Sequence, residues 1–475
     1  MNGILRSLLA TIVAGSCVAL PLAAASDDKL DLPSAVQLAL EKNLDLVRAA
    51  KQLKGSELDV KGAELEFSTH VRPEGSGGVT AEGGTRRYGV KATREFSWGT
   101  EVSVGGHMSE TENRDTGDYY RGAVDVEFTQ PLFRNFGPLI HEEGIVRANS
   151  ALRTARRGYE QQKAGLVVQV AEAFVSITRL RRQIASDEEL LQRTEKLHRL
   201  TRAREAQGRA TRVDALRVDL QLGEARLRLA NSKESLSTTQ RLFAELLGVA
   251  PDRTFEMDVP PLLTITIPSA EEAVRTALKN RLDYAQALQD GRESERAVRI
   301  ARRALYPDIA LKASFEKFGE GDNASEGSKL NDDTWFLGLA ASTDLNRSQD
   351  RLGLDKAIVN EDSARGVIKI KEVSIAREVK ERMDAYRRAQ TSLKIAERNL
   401  TLAEGRTKLA RRLFEAGRGD NFSVTDAEDA LVQAQSGLLG AKAEALLSGY
   451  RLLQALGTLT EFPEELKPEH ANREN

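Results

Sequence analysis

Side chains that could support catalysis or hold a metal ion are few in this sequence and widely scattered. The five histidines have no second ligand at a spacing typical of a metal site, and the only cysteine is Cys17. The glycine-rich stretch at 75–78 does not lie between a strand and a helix, as phosphate binding requires. We therefore expect no enzymatic activity, no metal site and no cofactor. The histidines are His70, His107, His141, His198 and His470.

The clearest pattern of charged side chains is their alternation with apolar ones in the segments 123–130 and 309–316. Such alternation over about ten residues is typical of a membrane-spanning barrel strand, whose polar side chains face the lumen. It also fits the half-buried strands of a soluble antiparallel sheet. In the barrel interpretation, the side chains that face water in the lumen are Asp125, Glu127, Lys312 and Glu316.

Further alternation is present at 335–341 and in an extra hairpin around Trp98 and Gly99, within 86–108. Four strands, or six with this extra hairpin, are too few to close a membrane barrel, for which roughly eight are needed. An open sheet edge is not tolerated in lipid. If the strands span a membrane, several subunits must contribute them to one barrel. Three roles stay open for the extra hairpin: additional barrel strands, an extracellular flap or a periplasmic ornament.

The elements around these strands are long helices, as the proline positions indicate. No proline occurs over the 112 residues between Pro138 and Pro251, or over the 155 residues between Pro307 and Pro463. Both spans are rich in Ala, Leu, Arg, Glu, Lys and Gln, which are strong helix formers. The segment 139–207 alone predicts one helix of about 70 residues and about 100 Å. A rod of this length must bury its apolar stripe against partner helices, as in a coiled coil.

The chain contains two repeats of the same order of elements. The motif Leu/Ile-Pro-Ser-Ala opens a helix in each half, with Ser34 and Ser269 as the expected N-caps. Residues 208–248 align without gaps on 417–457, and eight of the 41 positions are identical. Each copy begins at a glycine turn that folds a long helix back on itself, and each ends in Leu-Gly.

The N-terminal segment has the features of a secretory signal: Arg6, an apolar run over 8–22 and three alanines at 23–25. An uncleaved anchor and lipidation at Cys17 are the alternatives. The expected division of the chain is a signal peptide over 1–25, a first repeat over 26–248, a linker over 249–267, a second repeat over 268–457 and a tail over 458–475. Each repeat contains a helix, a β segment (about 68–131 and about 307–345) and a long helix hairpin that turns near 208 or near 417.

Composition narrows the class of protein. The chain has 69 basic and 71 acidic residues, so its net charge of −2 gives no reason to expect a nucleic-acid partner. Its mean hydropathy is −0.41. Beyond residue 25, no apolar run reaches the roughly 18 residues of a membrane-spanning helix, which excludes a helical membrane protein.

The order and spacing of these features resemble those of the TolC family of outer-membrane channels. The matching features are the leader, the two repeats, Gln130-Pro131-Leu132-Phe133 after a strand, the proline-free helices and the glycine turns at 208–216 and 417–427. The resemblance implies a fold that is mainly α with β. It also implies that long antiparallel coiled-coil hairpins in two repeats are joined to strands that complete a 12-strand barrel in a homotrimer, four from each copy. The extra hairpin at 86–108 departs from this plan.

The resemblance also implies a function and partners. The protein would be the trimeric outer-membrane exit duct of a tripartite efflux pump or type I secretion system, with its strands in outer-membrane lipid and its helices in the periplasm. Its partners would be a periplasmic adaptor and an inner-membrane pump or ABC transporter, which fixes the substrate. The alternative is a soluble periplasmic coiled-coil protein, structural or adaptor-like.

The family places adaptor docking and gating at the helix tips. The family's two acidic gate positions, six and nine residues after the second turn glycine, are Ser423 and Asp426 here, so one carboxylate is retained. Asp214 is at the position that ties the closed helix pairs together, although Gly419 replaces its usual Arg partner. The alternative for Asp214 and Asp426 is that they are solvated helix charges. The docking residues, which could also be ordinary turn residues, would be Gly208, Arg209, Thr211, Gly417, Arg418 and Gly419.

Overall fold

The structure is a computed structural model of the full chain, and it consists of long helices and one six-stranded sheet, with a separate two-stranded pair. The predicted signal peptide over 1–25 lies outside the described residues. These are 29–79, 83–113, 118–208, 210–253, 255–257, 260, 265–266, 268–416, 418, 421–461, 463 and 467–468.

The first half of the chain places four strands between a short pair of helices and a long helix hairpin. Its helices are α1 (Leu32–Lys42), α2 (Leu44–Leu65), α3 (Pro138–His141), α4 (Glu143–Ala206) and α5 (Arg212–Leu247). Its strands are β1 (Lys29–Leu30), β2 (His70–Val79), β3 (Gly83–Glu95), β4 (Glu101–Asn113) and β5 (Tyr119–Pro131). Strand β6 (Glu256–Met257) follows and pairs in parallel with β1.

The second half repeats this order with two strands in place of four. Helices α6 and α7 correspond to α1 and α2, and the hairpin of α9 and α10 corresponds to that of α4 and α5. The elements are α6 (Ala270–Asn280), α7 (Leu282–Ala304), β7 (Asp308–Gly321), α8 (Ala324–Gly327), β8 (Asp332–Ser342), α9 (Ser348–Glu415) and α10 (Asn421–Leu456).

Of the two expected N-caps, the structure confirms Ser269 and replaces Ser34 with another residue. Ser269 caps α6 and forms a capping box with Glu272. At α1 the cap is Asp31, whose carboxylate accepts a hydrogen bond from the backbone N–H of Ser34 at 3.0 Å. The prediction that Ser34 is itself the cap is therefore wrong. With Asp31 as cap, Pro33 falls in the first turn, where its missing N–H costs nothing.

The predicted single helix over 139–207 is interrupted at Glu142, between α3 and α4. Next to the break, the two ring nitrogens of His141 lie 2.5 Å from Glu95 Oε1 and 2.6 Å from the carbonyl oxygen of Asn135. These contacts fix α3 against the sheet and the preceding loop. The remaining helix α4 has 64 residues, which corresponds to about 96 Å at 1.5 Å per residue.

The helices pack as a four-membered array. Helix α4 packs along α5, α9 packs along α10, and α4 also contacts α10, so the order is α5-α4-α10-α9. Nearer the sheet, α2 packs on α4 and α7 packs on α9. The main core lies where α4 meets α1, α5 and α10. There Phe243 contacts Phe174 and Phe255 edge-on, with ring centroids 6.1 and 6.3 Å apart, and each such buried side chain contributes about 1.5–3 kcal/mol.

The six-stranded sheet is antiparallel, in the order β2-β3-β4-β5-β7-β8. The pair β5–β7 joins the two repeats, and β2 and β8 form the edges. Four strands per copy were expected from the resemblance, and the structure has six. The two additional strands, β3 and β4, lie inside the sheet, between β2 and β5. Among the described residues, no helix is both long and apolar enough to cross a membrane.

Candidate functional site

The four side chains predicted to face a lumen lie on one face of the sheet. Across the β5–β7 pair, Asp125 is opposite Glu316, Glu127 is opposite Ser314, and Lys312 is opposite Thr129. Side chains alternate between the two faces along a strand, and these positions share one parity. We call this side of the sheet the polar face.

Charges on the polar face are balanced by close partners. Asp125 and Glu316 are directly opposite each other, an arrangement that would be destabilising without a cation. Arg121 supplies it, with Nη2 at 3.0 Å from Glu316 Oε1. On the other side, an added Cβ at Gly105 would lie 2.7 Å from Asp125 Oδ1. The glycine therefore leaves the space that the carboxylate occupies.

The hairpin β3–β4 contributes to the same polar face. Lys91 Nζ lies 2.8 Å from Glu127 Oε2, and the Ser103 hydroxyl donates to the same oxygen at 3.0 Å. Side chains of β2 to β5 and of β7, including Glu74 and Arg87, line a cleft of about 670 Å³ along this face. The cleft carries both signs of charge, which suits a water-filled passage more than a site for one ion.

The opposite side of the sheet carries an unbroken apolar row, one residue from each strand. The pairing registers make these residues successive cross-strand neighbours over the whole sheet. Their exposed fractions rise to 65% for Val71 and 73% for Trp335 at the two edges. An exposed apolar surface this continuous marks a face that lipid or protein covers. The row is Val71, Ala92, Val104, Val126, Phe315 and Trp335.

The first helix hairpin turns at Gly208, whose φ of +71° is readily adopted only by glycine. Thr211 then caps α5, since its hydroxyl accepts from the backbone N–H of Asp214 at 3.2 Å. In return, Asp214 accepts from the backbone N–H of Thr211 at 3.1 Å and from its hydroxyl at 2.6 Å. These hydrogen bonds lower the pKa of Asp214, so a negative charge is kept at the helix N-terminus. Arg209 lies outside the described residues.

At the second hairpin, Gly417 and Gly419 lie outside the described residues. Arg418 is exposed, and its backbone N–H donates to the carbonyl oxygen of Leu413 at 2.9 Å. Ser423 and Asp426 lie in the first two turns of α10, and both are exposed. The Asp426 carboxylate accepts a hydrogen bond from Arg406 of α9. The carboxylate at the predicted gate position is therefore paired with a cation of its own chain.

Two ion pairs that the sequence analysis did not name occupy equivalent places in the two hairpins. Arg202 of α4 contacts Asp219 of α5, and Arg411 of α9 lies 2.9 Å from Glu428 of α10. The repeat offset of 209 residues carries the first pair onto the second. A search for opposite charges retained between the repeats, 17 residues apart in each, would have found them.

Within the described ranges, no group of three or more His, Cys, Asp or Glu side chains is placed to hold a metal ion. The expectation that the protein has no cofactor stays a prediction.

Comparison with known proteins identifies a family. The family model described as outer membrane efflux protein matches residues 96–249 and 273–458, one block in each repeat. Among curated proteins, the outer membrane efflux protein BepC of Brucella suis biovar 1 (strain 1330) is 21% identical over 348 residues. The match covers 71% of this chain and 73% of the relative.

Solved structures share the fold. The outer membrane protein VceC of Vibrio cholerae matches with a TM-score of 0.70 and 19% identity, over 90% of this chain and 96% of that chain. The CmeC outer membrane channel of Campylobacter jejuni matches with a TM-score of 0.70 and 13% identity, over 90% and 86%. The predicted fold class is thereby confirmed, with long helical hairpins in two repeats and an antiparallel sheet.

Proposed function

Because the chain belongs to the outer membrane efflux protein family, we propose that three copies of it assemble into one exit duct through the two flanks of the helix array. The family membership confirms the predicted channel function and the location in the outer membrane, with helices in the periplasm. It implies a trimer and pump partners in general. A soluble periplasmic coiled-coil protein does not fit this family.

The main support for the trimer is a pair of exposed apolar stripes on the outer helices α5 and α9. On each helix, large apolar side chains recur every seven residues, which is the spacing of a coiled-coil seam. All six are more than half exposed in the single chain, so each stripe lacks a partner helix among the described residues. The stripes are Val213, Leu220 and Leu227 on α5 and Ile395, Leu402 and Leu409 on α9.

The two stripes lie at matching heights. Both begin within about ten residues of the hairpin turn, at Val213 after Gly208 and at Leu409 before Arg418. In a closed ring, α5 of one copy would therefore pack against α9 of the next copy, burying both stripes. Burial of one such leucine contributes about 1.5–3 kcal/mol.

Disulfide cross-linking tests this interface. Leu220→Cys combined with Leu402→Cys or with Leu409→Cys should give covalent trimers in outer-membrane fractions. The control combines Leu220→Cys with Glu404→Cys, because Glu404 is two residues from Leu402 and so about 200° around the helix. Monomeric protein from both test pairs, or trimers from the control alone, would contradict the arrangement.

The helix tips are the proposed docking surface for a periplasmic adaptor. The described candidates Gly208, Thr211 and Arg418 lie at the ends of the two hairpins, farthest from the sheet. Arg209, Gly417 and Gly419 belong to the same proposed surface by position in the sequence. Arg418→Glu should weaken co-purification with the adaptor, whereas Arg377→Glu, at an exposed site in the middle of α9, should not. Equal recovery of the adaptor with both variants would argue against docking at the tip.

The proposed division of the chain follows from these roles. The segment 1–25 is the signal for export, and 26–248 and 268–457 each supply strands and one helix hairpin. The linker 249–267 connects them, and 458–475 is the tail. Asp214, Ser423 and Asp426 form the proposed gate just inside the tips, and the polar face forms the proposed lumen.

A further inference from the structure

We propose that the hairpin β3–β4 is part of the membrane wall, so that the trimer closes an eighteen-stranded barrel instead of a twelve-stranded one. This inference rests on the proposed trimer. Each copy contributes one six-stranded sheet, and three copies give eighteen strands. The hairpin is thus neither an extracellular flap nor a periplasmic ornament.

The first support is the position of the hairpin inside the sheet. Strand β3 pairs with β2 from His70 opposite Thr93 to Val79 opposite Gly84. Strand β4 pairs with β5 over a similar length, from Glu101 opposite Thr129. Because β3 and β4 are the link between β2 and β5, moving them out of the wall would break both pairings. A break of this kind would leave unpaired backbone groups in lipid, each costing several kcal/mol.

The second support is the orientation of side chains. The apolar row crosses β3 at Ala92 and β4 at Val104, without interruption between β2 and β5. The neighbouring row on the polar face places Lys91 and Gly105 next to Asp125. A flap or ornament surrounded by water on both sides would have no reason to keep its apolar residues in register with the lipid-facing residues of the other strands.

The third support is where the β3–β4 turn lies. The Trp98 ring packs on Phe136 with centroids 5.5 Å apart, and the Trp98 carbonyl oxygen accepts from the backbone N–H of Gly137 at 3.1 Å. Phe136 and Gly137 directly precede α3, so this turn is at the end of the sheet that joins the helices. The strands β3 and β4 have 13 residues each, more than the roughly 9–11 that a tilted strand needs to cross a membrane.

The partner that completes the wall is a second copy of this chain. The open edges are β2 and β8, and each has a paired neighbour on one side only within the described sheet. Because the number of strands is even and all pairs are antiparallel, β2 and β8 run in opposite directions. Edge β2 of one copy can therefore continue the antiparallel pairing at edge β8 of the next copy, and three such joints close the barrel.

An eighteen-stranded wall is wider than a twelve-stranded one. Barrel diameter grows roughly linearly with strand number, so eighteen strands give about one and a half times the diameter of twelve and about twice the cross-sectional area. The polar face of the added hairpin also brings Arg87, Lys91 and His107 to the lumen. We therefore expect a duct that passes bulkier solutes at its membrane end than a twelve-stranded wall would.

Thiol labelling in outer membranes tests whether the hairpin is embedded. Cys17 is the only native cysteine, so the unmodified chain gives the background. With a membrane-impermeant maleimide, Arg87→Cys on the polar face should react, and Tyr88→Cys on the apolar face should stay at background. Asp125→Cys and Val126→Cys in β5 are the matched reference pair. Reaction of both Arg87→Cys and Tyr88→Cys, with the β5 pair still discriminating, would overturn the proposal.

Electron cryomicroscopy of the full chain in lipid nanodiscs gives the strand count directly. The expected result is a three-fold symmetric wall of eighteen strands. A three-fold wall of twelve strands, with residues 83–113 outside it, would overturn this inference and leave the proposed exit duct intact. Particles without three-fold symmetry would instead overturn the proposed function.

Discussion

Arg406 of α9 donates a hydrogen bond to Asp426 of α10, across the second helix hairpin. Both side chains are about half exposed, at 55% and 48%. A trimer would therefore carry three Asp426 carboxylates, each with a guanidinium beside it. Much of the negative charge at this predicted gate position is therefore offset locally.

Substitutions of the two residues in this ion pair should have opposite effects on cation selectivity. Asp426→Asn in reconstituted trimers should weaken cation selectivity and block by divalent cations, since the carboxylates attract cations. Arg406→Gln should strengthen both, because it leaves the carboxylates unmatched. Single-channel recordings in salt gradients measure the selectivity. Unchanged cation selectivity in both variants would show that Asp426 has no role in the gate.

The polar face predicts a labelling pattern for the strands of the second repeat. Lys312→Cys and Glu316→Cys should react with a membrane-impermeant thiol reagent because their side chains line the proposed lumen. Leu311→Cys should not react, since neighbouring residues of a strand point to opposite faces. Glu127→Cys tests the same face on β5. Equal reaction at Leu311→Cys and Lys312→Cys would show that this face of β7 is not covered by lipid.

An ion-pair cluster at the start of α7 predicts that part of the protein's folding stability is lost at acidic pH. Burial alone would raise the pKa of Asp283, but hydrogen bonds from Arg281 and Lys371 outweigh it and lower the pKa to about 2. The Arg281 and Lys371 contacts are both 2.8 Å long. Because the pKa is depressed in the folded state, the stabilisation is complete above the ordinary value of 3.8 and is lost as the pH falls toward 2.

Asp283→Asn should therefore lower the thermal unfolding midpoint at pH 7, by an amount corresponding to about 2 kcal/mol. The difference from the unmodified chain should shrink as the pH is lowered from 5 to about 2. Circular dichroism of the detergent-solubilised protein measures the midpoint. Asp384→Asn, in the exposed pair with Arg387, is the control and should have little effect. If the difference in unfolding midpoint between Asp283→Asn and the unmodified chain did not change with pH, the cluster would not be the source of the acid-sensitive stability.

The capping box at the first tip predicts that Thr211 stabilises the first turn of α5. Thr211→Ala removes the hydroxyl that caps α5 and should destabilise the first turn by about 1 kcal/mol. Thr211→Ser keeps the hydroxyl and should be nearly neutral. Hydrogen–deuterium exchange of the peptide covering 212–220 reports this turn. Similar exchange in the alanine and serine variants would mean that the cap contributes nothing to the tip.

Much of the architecture could be predicted from the residues because it depends on periodicity. The alternation in β5, β7 and β8 and the proline-free spans around α4 and α9 are strong local signals. Strand β2 has no comparable signal, since its glycines and Pro73 interrupt any alternation. Its place in the sheet depends on pairing with β3, which is a tertiary contact.

The contacts at the tips were harder to predict for a different reason. Pairing of Arg406 with Asp426 depends on the height at which two antiparallel helices face each other, and one residue more in the turn would change it. The interruption at Glu142 likewise depends on the contact of His141 with Glu95 of β3, distant in sequence. Asp31 as a cap was a local signal that the serine in the motif obscured.

The added strands β3 and β4 begin and end at the far end of the sheet from the helices, with Gly83 opposite Asn113. An insertion of this form leaves the directions of β2 and β5, and their connections to α2 and α4, unchanged. Bore size in this architecture can therefore evolve separately from the periplasmic tube. In the proposed trimer, each β-hairpin added per copy would widen the barrel while the helix array stays the same.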